Sequence, residues 1–400
     1  MSEKIPKGWK WVKLGDAVII NPNETLKKGI IAKKVPMEAL HPFTKKVKFF
    51  VFEKYNGGVK FKNGDTLVAR ITPSLENGKT VYVDLLDDDE IGFGSTEFIV
   101  LREKSGITDK QFVYYFAISN DFRDVAIKSM TGSSGRQRVQ NEVVKEFEFP
   151  LPPLPEQKAI AEVLSSIDDK IDLLHRQNKT LEKIAMTLFK QWFIEPTKDG
   201  LPEGWEERGL GEIFDYLEGP GIRNWQYSTR GIPFLNIRLI ENGEINIKNA
   251  NFISEEEAFG KYKKFLLQEG DVVISTSGTL GKYAIVRKYH LPLLLNTSII
   301  RFRPKNKNYR IFMYLYLKSR EFKEYLESSA DGSVQANFGP THLRAIKIIV
   351  PPSHALEKFE KIISPLYEKF DNNFFQIKSL EKLRDTLLPK LMSGEVRVRF

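Results

Sequence analysis

Side chains able to do chemistry are irregularly spread in this chain. Glu76-Asn77-Gly78-Lys79-Thr80 has the ending of a phosphate-binding P-loop, but Pro73 stands where that pattern needs its first glycine. Gly281-Lys282 fails likewise: Thr276 replaces the first glycine, and Tyr283 sits where a serine or threonine must reach a metal ion. Both read as turns between strands. The run Asp84-Leu85-Leu86-Asp87-Asp88-Asp89-Glu90 gathers carboxylates without an ordered scaffold for magnesium, and reads as a solvated hairpin tip. His41, His175, His290, His342 and His354 lie scattered, with no His-Glu-x-x-His or other zinc spacing. There is no Gly-x-Ser-x-Gly elbow, no Asn-Pro-Pro-Tyr type motif for holding a flipped base, and no cysteine. The expectation is a chain that carries no catalytic group, metal site or cofactor of its own.

Binding chemistry is easier to find. Arg136, Gln137, Arg138 and Gln140 crowd one Gly/Ser-rich loop. Arginine can fork onto guanine O6 and N7, and glutamine or asparagine onto adenine N6 and N7. The second half offers Arg223-Asn224-Trp225-Gln226-Tyr227, then Arg230, Ser277, Lys282, Gln335 and Asn337. Lys79 and Lys282, with Lys60, Lys62 and Lys305, are candidates for phosphate contacts, which add affinity without sequence choice.

These candidates sit on a duplicated frame. Ile5-Pro6-Lys7-Gly8-Trp9 followed by Leu14-Gly15-Asp16 is written again as Leu201-Pro202-Glu203-Gly204-Trp205 and Leu210-Gly211-Glu212. Asn63-Gly64-Asp65 before an apolar run answers Glu269-Gly270-Asp271, and Gly78-Lys79 answers Gly281-Lys282. Each half then turns helical, passes a polar loop (131–138; 331–337), and closes with a strand-like run and a proline pair, Pro152-Pro153 and Pro351-Pro352. A period near 200 residues marks a duplicated domain rather than a solenoid.

Each copy is followed by a long helical pattern. Ile160, Leu164, Ile167, Ile171, Leu174, Asn178, Leu181, Ala185, Leu188 and Trp192 step by threes and fours, which keeps one seam facing a partner helix. The frame returns 199 positions later as Phe359, Ile363, Leu366, Phe370, Asn373, Ile377, Leu380, Arg384, Leu387 and Leu391. Two matching seams most simply bury each other. Because a compact domain brings its termini close together, the second helix should start beside the end of the first and run back antiparallel. The expected fold is α+β: two duplicated α/β domains at opposite ends of an antiparallel two-helix coiled coil, pseudo-two-fold symmetric. Its parts are 1–152, the first domain; 153–195, the first spacer helix; 196–352, the second domain; and 353–400, the second spacer helix with a strand-like tail near the first domain.

The 400 residues carry a formal charge of +9 and 41% hydrophobic residues, a folded composition that favours a polyanionic partner. The opening MSEKIPKGWK lacks the apolar core of a secretory signal, and no run approaches the roughly 18 apolar residues of a membrane span. A cytoplasmic protein is expected.

The layout resembles the specificity (S) subunit of Type I restriction-modification systems over essentially the whole chain. The resemblance is carried by the paired Pro-x-Gly-Trp openings, by Gly270-Asp271-Val272-Val273-Ile274-Ser275-Thr276-Ser277-Gly278-Thr279, and by Phe149-Pro150-Leu151-Pro152-Pro153-Leu154-Pro155-Glu156-Gln157. The second copy of that last motif, Val350-Pro351-Pro352-Ser353-His354, lacks the Glu-Gln. The resemblance implies two target-recognition domains that each read half of a bipartite double-stranded DNA sequence, with the helices as a ruler. It also implies two modification (M) subunits docked on the helices and carrying S-adenosylmethionine, and restriction (R) subunits using ATP and Mg²⁺. The competing readings are a coiled-coil scaffold protein and a self-contained DNA methyltransferase or nuclease.

Overall fold

The computed structural model describes residues 5–241, 243–330 and 338–399, the side chains of 329 and 330 excepted. The chain divides into two compact units, Met1–Arg176 with Asn373–Phe400, and Gln177–Asn372. Each holds one sequence repeat together with a stretch of each long helix.

In the first unit an antiparallel sheet runs Val18–Ile20, Phe98–Glu103, Thr66–Ala69, Thr80–Tyr82. A second sheet runs Val51–Lys54, Ile31–Val35, Gly92–Gly94, Val59–Phe61, its middle pair parallel. The second unit repeats the plan: Phe214–Glu218, Ile299–Pro304, Val272–Ser275, Tyr283–Ile285, and then Asn251–Ile253, Ile232–Leu235, Leu294–Leu295, with the last pair parallel. The strand that opens each repeat pairs antiparallel with the one that closes it, Lys10–Lys13 with Glu148–Leu151 and Glu206–Gly209 with Lys347–Val350.

The Gly-Asp pairs do more than mark turns. Gly64 and Gly270 hold φ of +94° and +87°, a conformation natural to glycine. The acids that follow are fully buried, and each accepts a forked guanidinium from the neighbouring strand. Arg102 reaches Asp65 with Nε at 2.6 Å and Nη2 at 2.7 Å; Arg303 reaches Asp271 at 2.6 and 2.8 Å. Each carboxylate also accepts one backbone N–H, from Lys62 or Gln268. Paired bonds of this kind are the geometrically specific form of a charge-assisted contact, and the turn, the strand and its neighbour are thereby fixed together.

The first long helix is Leu154–Phe189, continued by a π turn at Lys190–Ile194; the second is Ser353–Ser393. Within the first unit, Asp168 pairs with Arg384 and Glu156 with Arg397, so partner numbers rise as the first helix is followed backwards. Within the second unit, Asn178 Nδ2 donates to the Phe370 carbonyl at 3.3 Å, and the Phe193 ring lies 4.6 Å from that of Phe359. The helices are antiparallel in each unit.

Ile160, Leu164, Ile167, Ile171, Leu174, Asn373 and Ile377 are buried in the first unit, with Leu380 and Leu387 packed against them. In the second, Asn178, Phe359 and Ile363 are buried, and Leu181, Leu366 and Phe370 half-buried. At the end of the first helix the seam moves by one residue. Leu188 and Trp192 are half-buried, whereas Phe189 and Phe193 are 1% and 3% exposed. A helix of 3.6 residues per turn drifts against a 3.5 repeat, and both phenylalanines pack on Phe312 and Phe359.

Pro155-Glu156-Gln157 fastens the start of the first helix. Buried Glu156 accepts the Trp9 indole N–H at 3.0 Å and the Arg397 fork at 2.8 and 2.6 Å. The Gln157 amide donates to the carbonyls of Ile107 and Pro152 and accepts the Asp109 N–H. In the second repeat the same positions are Ala355 and Leu356; Leu356 is buried in the core, and Trp205 packs against Phe193 instead. Residues 394–399 of the tail are irregular rather than a strand, because Gly394 turns the chain and Arg397 is drawn to Glu156.

Candidate nucleic-acid interface

Three loops are stitched together in the first unit. The Arg70 N–H donates to the Glu97 carbonyl at 2.9 Å, the Val139 N–H to the Arg70 carbonyl at 2.9 Å, and the Thr72 N–H to the Gln137 carbonyl at 3.0 Å. Thr131 and Arg138 exchange two backbone bonds at 3.0 and 2.9 Å, which closes the Gly/Ser-rich loop into a hairpin. The second unit repeats the weave: Thr276 N–H to the Ser298 carbonyl at 2.9 Å, and Phe338 N–H to the Thr276 carbonyl at 3.0 Å. Phe338 therefore stands where Val139 stands. A further bond, Thr297 N–H to the Pro220 carbonyl at 3.0 Å, brings the 220–227 loop to the same cluster.

Several candidates lie at the open ends of these loops. Arg136 and Arg138 are exposed, and Gln137 is half-buried. The Arg138 guanidinium rests on Glu97, with Nε 3.0 Å from both carboxylate oxygens and Nη2 2.7 Å from Oε1. That hydrogen bond, with the charges of Arg138 and Arg70, holds the Glu97 carboxyl below its ordinary range despite partial burial. In the second unit Arg223, Asn224 and Arg230 are exposed, Ser277 is half-buried, and Trp225 stands 80% exposed on the short turn Asn224–Gln226. Gln335 and Asn337 fall outside the described residues.

Four candidates serve the scaffold instead. Gln226 is buried; its amide donates to Glu257 and Tyr262 and accepts the Arg223 N–H, so neither end is left for a base edge. The Gln140 amide donates to Thr131 Oγ1 at 2.6 Å and the Arg138 carbonyl at 3.1 Å, bracing the hairpin. The ammonium groups of Lys79 and Lys282 turn back onto equivalent carbonyls, of Met37 at 3.1 Å and Ile237 at 3.3 Å. Their likeness in the two repeats reflects a shared structural bond.

Two residues of the cluster escaped sequence reading. Arg70, half-buried, donates Nη2 to the Val139 carbonyl at 2.9 Å, and Glu97 anchors Arg138. Both flank buried strands, and only the pairing of those strands brings them together. In the acidic run, Asp87 and Glu90 both engage Lys33. No cluster of metal-ligating side chains is found among the described residues.

Each copy of the duplicated domain thus presents guanidinium and amide groups at the ends of its woven loops. Residues 6–183 and 202–382 each match the Type I restriction modification DNA specificity domain. The chain belongs to this family and is a DNA specificity subunit of the Type I restriction-modification kind. It is 32% identical over 312 residues to the Type I restriction enzyme MjaIX specificity subunit of Methanocaldococcus jannaschii, covering 74% of this chain and 71% of that one. It is 25% identical to the MjaVIII specificity subunit of the same organism, over 99% and 95% of the two chains. The S subunit structure from M. genitalium shares the fold, with a TM-score of 0.52 at 22% identity over 98% of this chain and 97% of that one. Among the described residues no helix is long and apolar enough to cross a membrane.

Proposed function

We propose that the two domains, 1–152 and 196–352, each read one half of a bipartite duplex DNA target. The helical segments 153–195 and 353–400 set the gap between the halves and dock two modification subunits. The observation that carries this reading is the repeated loop weave bearing unlike side chains: Arg136 and Arg138 on one copy, Arg223, Asn224, Arg230 and Ser277 on the other. One frame with two different sets of donors suits a target with two different halves, and a charge of +9 suits its phosphates.

The docking role is supported by apolar side chains that the helices leave uncovered in equivalent places. Val163 (36%) and Leu383 (46%) are exposed in the first unit, Ile184 (43%) and Ile362 (45%) in the second. Val163 answers Ile362 and Ile184 answers Leu383 at the 199-residue offset. Each unit thus carries the same pair of positions, which fits two copies of one partner. The chain itself does no catalysis in this account: S-adenosylmethionine and adenine methylation belong to the modification subunits, and ATP, Mg²⁺ and cleavage to restriction subunits.

Labelled S-adenosylmethionine incubated with duplex DNA tests this. Methyl transfer is expected only when chain and modification subunit are both present. Transfer by the chain alone would establish a self-contained enzyme, and failure to shift any duplex, alone or with its partner, would leave a coiled-coil scaffold.

A further inference from the structure

The Glu97–Arg138 pair has a geometry that a plain surface ion pair does not need. The backbone of Arg138 is held on both sides, by Thr131 through two hydrogen bonds and by an isolated bridge to Ile71. Glu97 is held too, since its carbonyl accepts the Arg70 N–H and its own N–H donates to Ser95 Oγ at 3.1 Å. The carboxylate takes the Nε edge of the guanidinium, and Nη1 lies 3.5 Å from the Arg136 carbonyl. Nη2 is shared with Glu97 and Nη1 donates to the Arg136 carbonyl, so each terminal nitrogen keeps one further N–H, on a side chain 45% exposed. An arginine oriented in this way loses less freedom on binding than a loose one, and its two parallel donors match guanine O6 and N7.

Building on the DNA-reading function proposed above, we propose that Arg138 reads a guanine in the half-site of the first domain, and that Glu97 is the positioning residue that aims it. Among the described residues the second domain has no counterpart of Glu97, because Ser298 takes its place. A carboxylate this close also repels phosphate, so the pair disfavours contact away from the correct base. Glu97 therefore trades general affinity for selectivity.

The test uses the chain assembled with its modification subunit, comparing methylated sites and duplex binding for the wild type and for Arg138→Ala, Arg138→Lys and Glu97→Ala. Arg138→Ala and Arg138→Lys should each lose roughly 5- to 150-fold discrimination at one guanine position of one half-site. Lysine keeps the charge but cannot fork. Glu97→Ala should lower discrimination at that same guanine while tightening binding to unrelated DNA, with a salt dependence steeper by about one phosphate contact. The other half-site, read unchanged in the same molecules, shows that each variant is folded. Uniform weakening on all sequences by Arg138→Lys, or discrimination left intact by both Arg138 variants, would overturn the proposal. So would a Glu97→Ala variant unchanged in both affinity and selectivity. A wild-type assembly with no sequence preference at all would instead overturn the DNA-reading function.

Discussion

Removing the Asp168 carboxylate should destabilise the first unit far more than removing its whole polar cluster. Asp168 and Arg384 have side chains 5% and 9% exposed, and Arg384 Nη1 lies 2.8 Å from Asp168 Oδ1. The Tyr115 hydroxyl donates to the other carboxylate oxygen at 2.8 Å. Asp168→Ala strands a buried guanidinium, a loss of about 3–5 kcal/mol in comparable pairs. Arg384 keeps Asp385 on its other edge, at 3.2 and 2.9 Å, which places the ionic part at ~3 kcal/mol. Loss of the carboxylate acceptor of the Tyr115 hydroxyl adds ~1 kcal/mol, for a total of ~4 kcal/mol. The triple change Tyr115→Phe, Asp168→Leu, Arg384→Met removes the three buried polar side chains, leaves Asp385 half-exposed to water, and should return to within ~1.5 kcal/mol of the wild type. Amide hydrogen exchange over residues 160–174 reads this unit without requiring the whole chain to unfold in one step. A single Asp168→Ala variant that loses less than ~1 kcal/mol of protection, or a triple variant no better than the single, would refute the reasoning.

Three further outcomes are expected. Arg136→Ala should lower the slope of log affinity against log salt by about one contact, whereas Lys79→Ala should leave the slope unchanged and act on stability, because its ammonium is tied to Met37. Val163→Asp should weaken one modification-subunit site and Ile184→Asp the other, with native mass spectrometry of the assembly reporting one subunit lost in each variant and two in the double. Glu244 gives a pH signature: burial pushes its carboxyl up, but the His290 hydrogen bond and the Arg287 charge outweigh this and hold it below the ordinary value of 4.5. A depressed carboxyl contributes stability above its unfolded value and loses it as pH falls through the folded one. Urea midpoints for the wild type should therefore fall below pH 4.5 more steeply than those of Glu244→Gln, which should start lower at neutral pH.

The repeat and the helical seam were legible because each rests on a local rule. A seam residue such as Ile167 or Ile363 is placed by spacing alone. Which of the candidate side chains reach solvent was only partly legible. Arg136, Arg138, Arg223 and Asn224 are exposed at the loop ends, whereas Gln140, Gln226, Lys79 and Lys282 face inward. A polar side chain in a loop has the same letter whether it meets solvent or satisfies a buried partner; Gln226 turns inward because Glu257 and Tyr262, some thirty residues away, supply that partner. The same limit hid Glu97, whose role depends on the strand pairing that sets it beside Arg70 and on the loop bonds that bring Arg138, 41 residues away, to the same place. Leu188 and Trp192 pack at the edge of the seam while Phe189 and Phe193 take its centre, the drift of a real helix against an ideal heptad.

The claim that paired helices set the gap of a split target is tested most directly by adding one heptad to each helix and sequencing the methylated motif in a host that also expresses the modification subunit. Seven residues add about 10 Å of helix, or about 3 base pairs at 3.4 Å each. The same two half-sites should appear, separated by a correspondingly longer unspecified stretch; an unaltered gap, or a contiguous motif read by the chain without the insertion, would contradict a helical ruler.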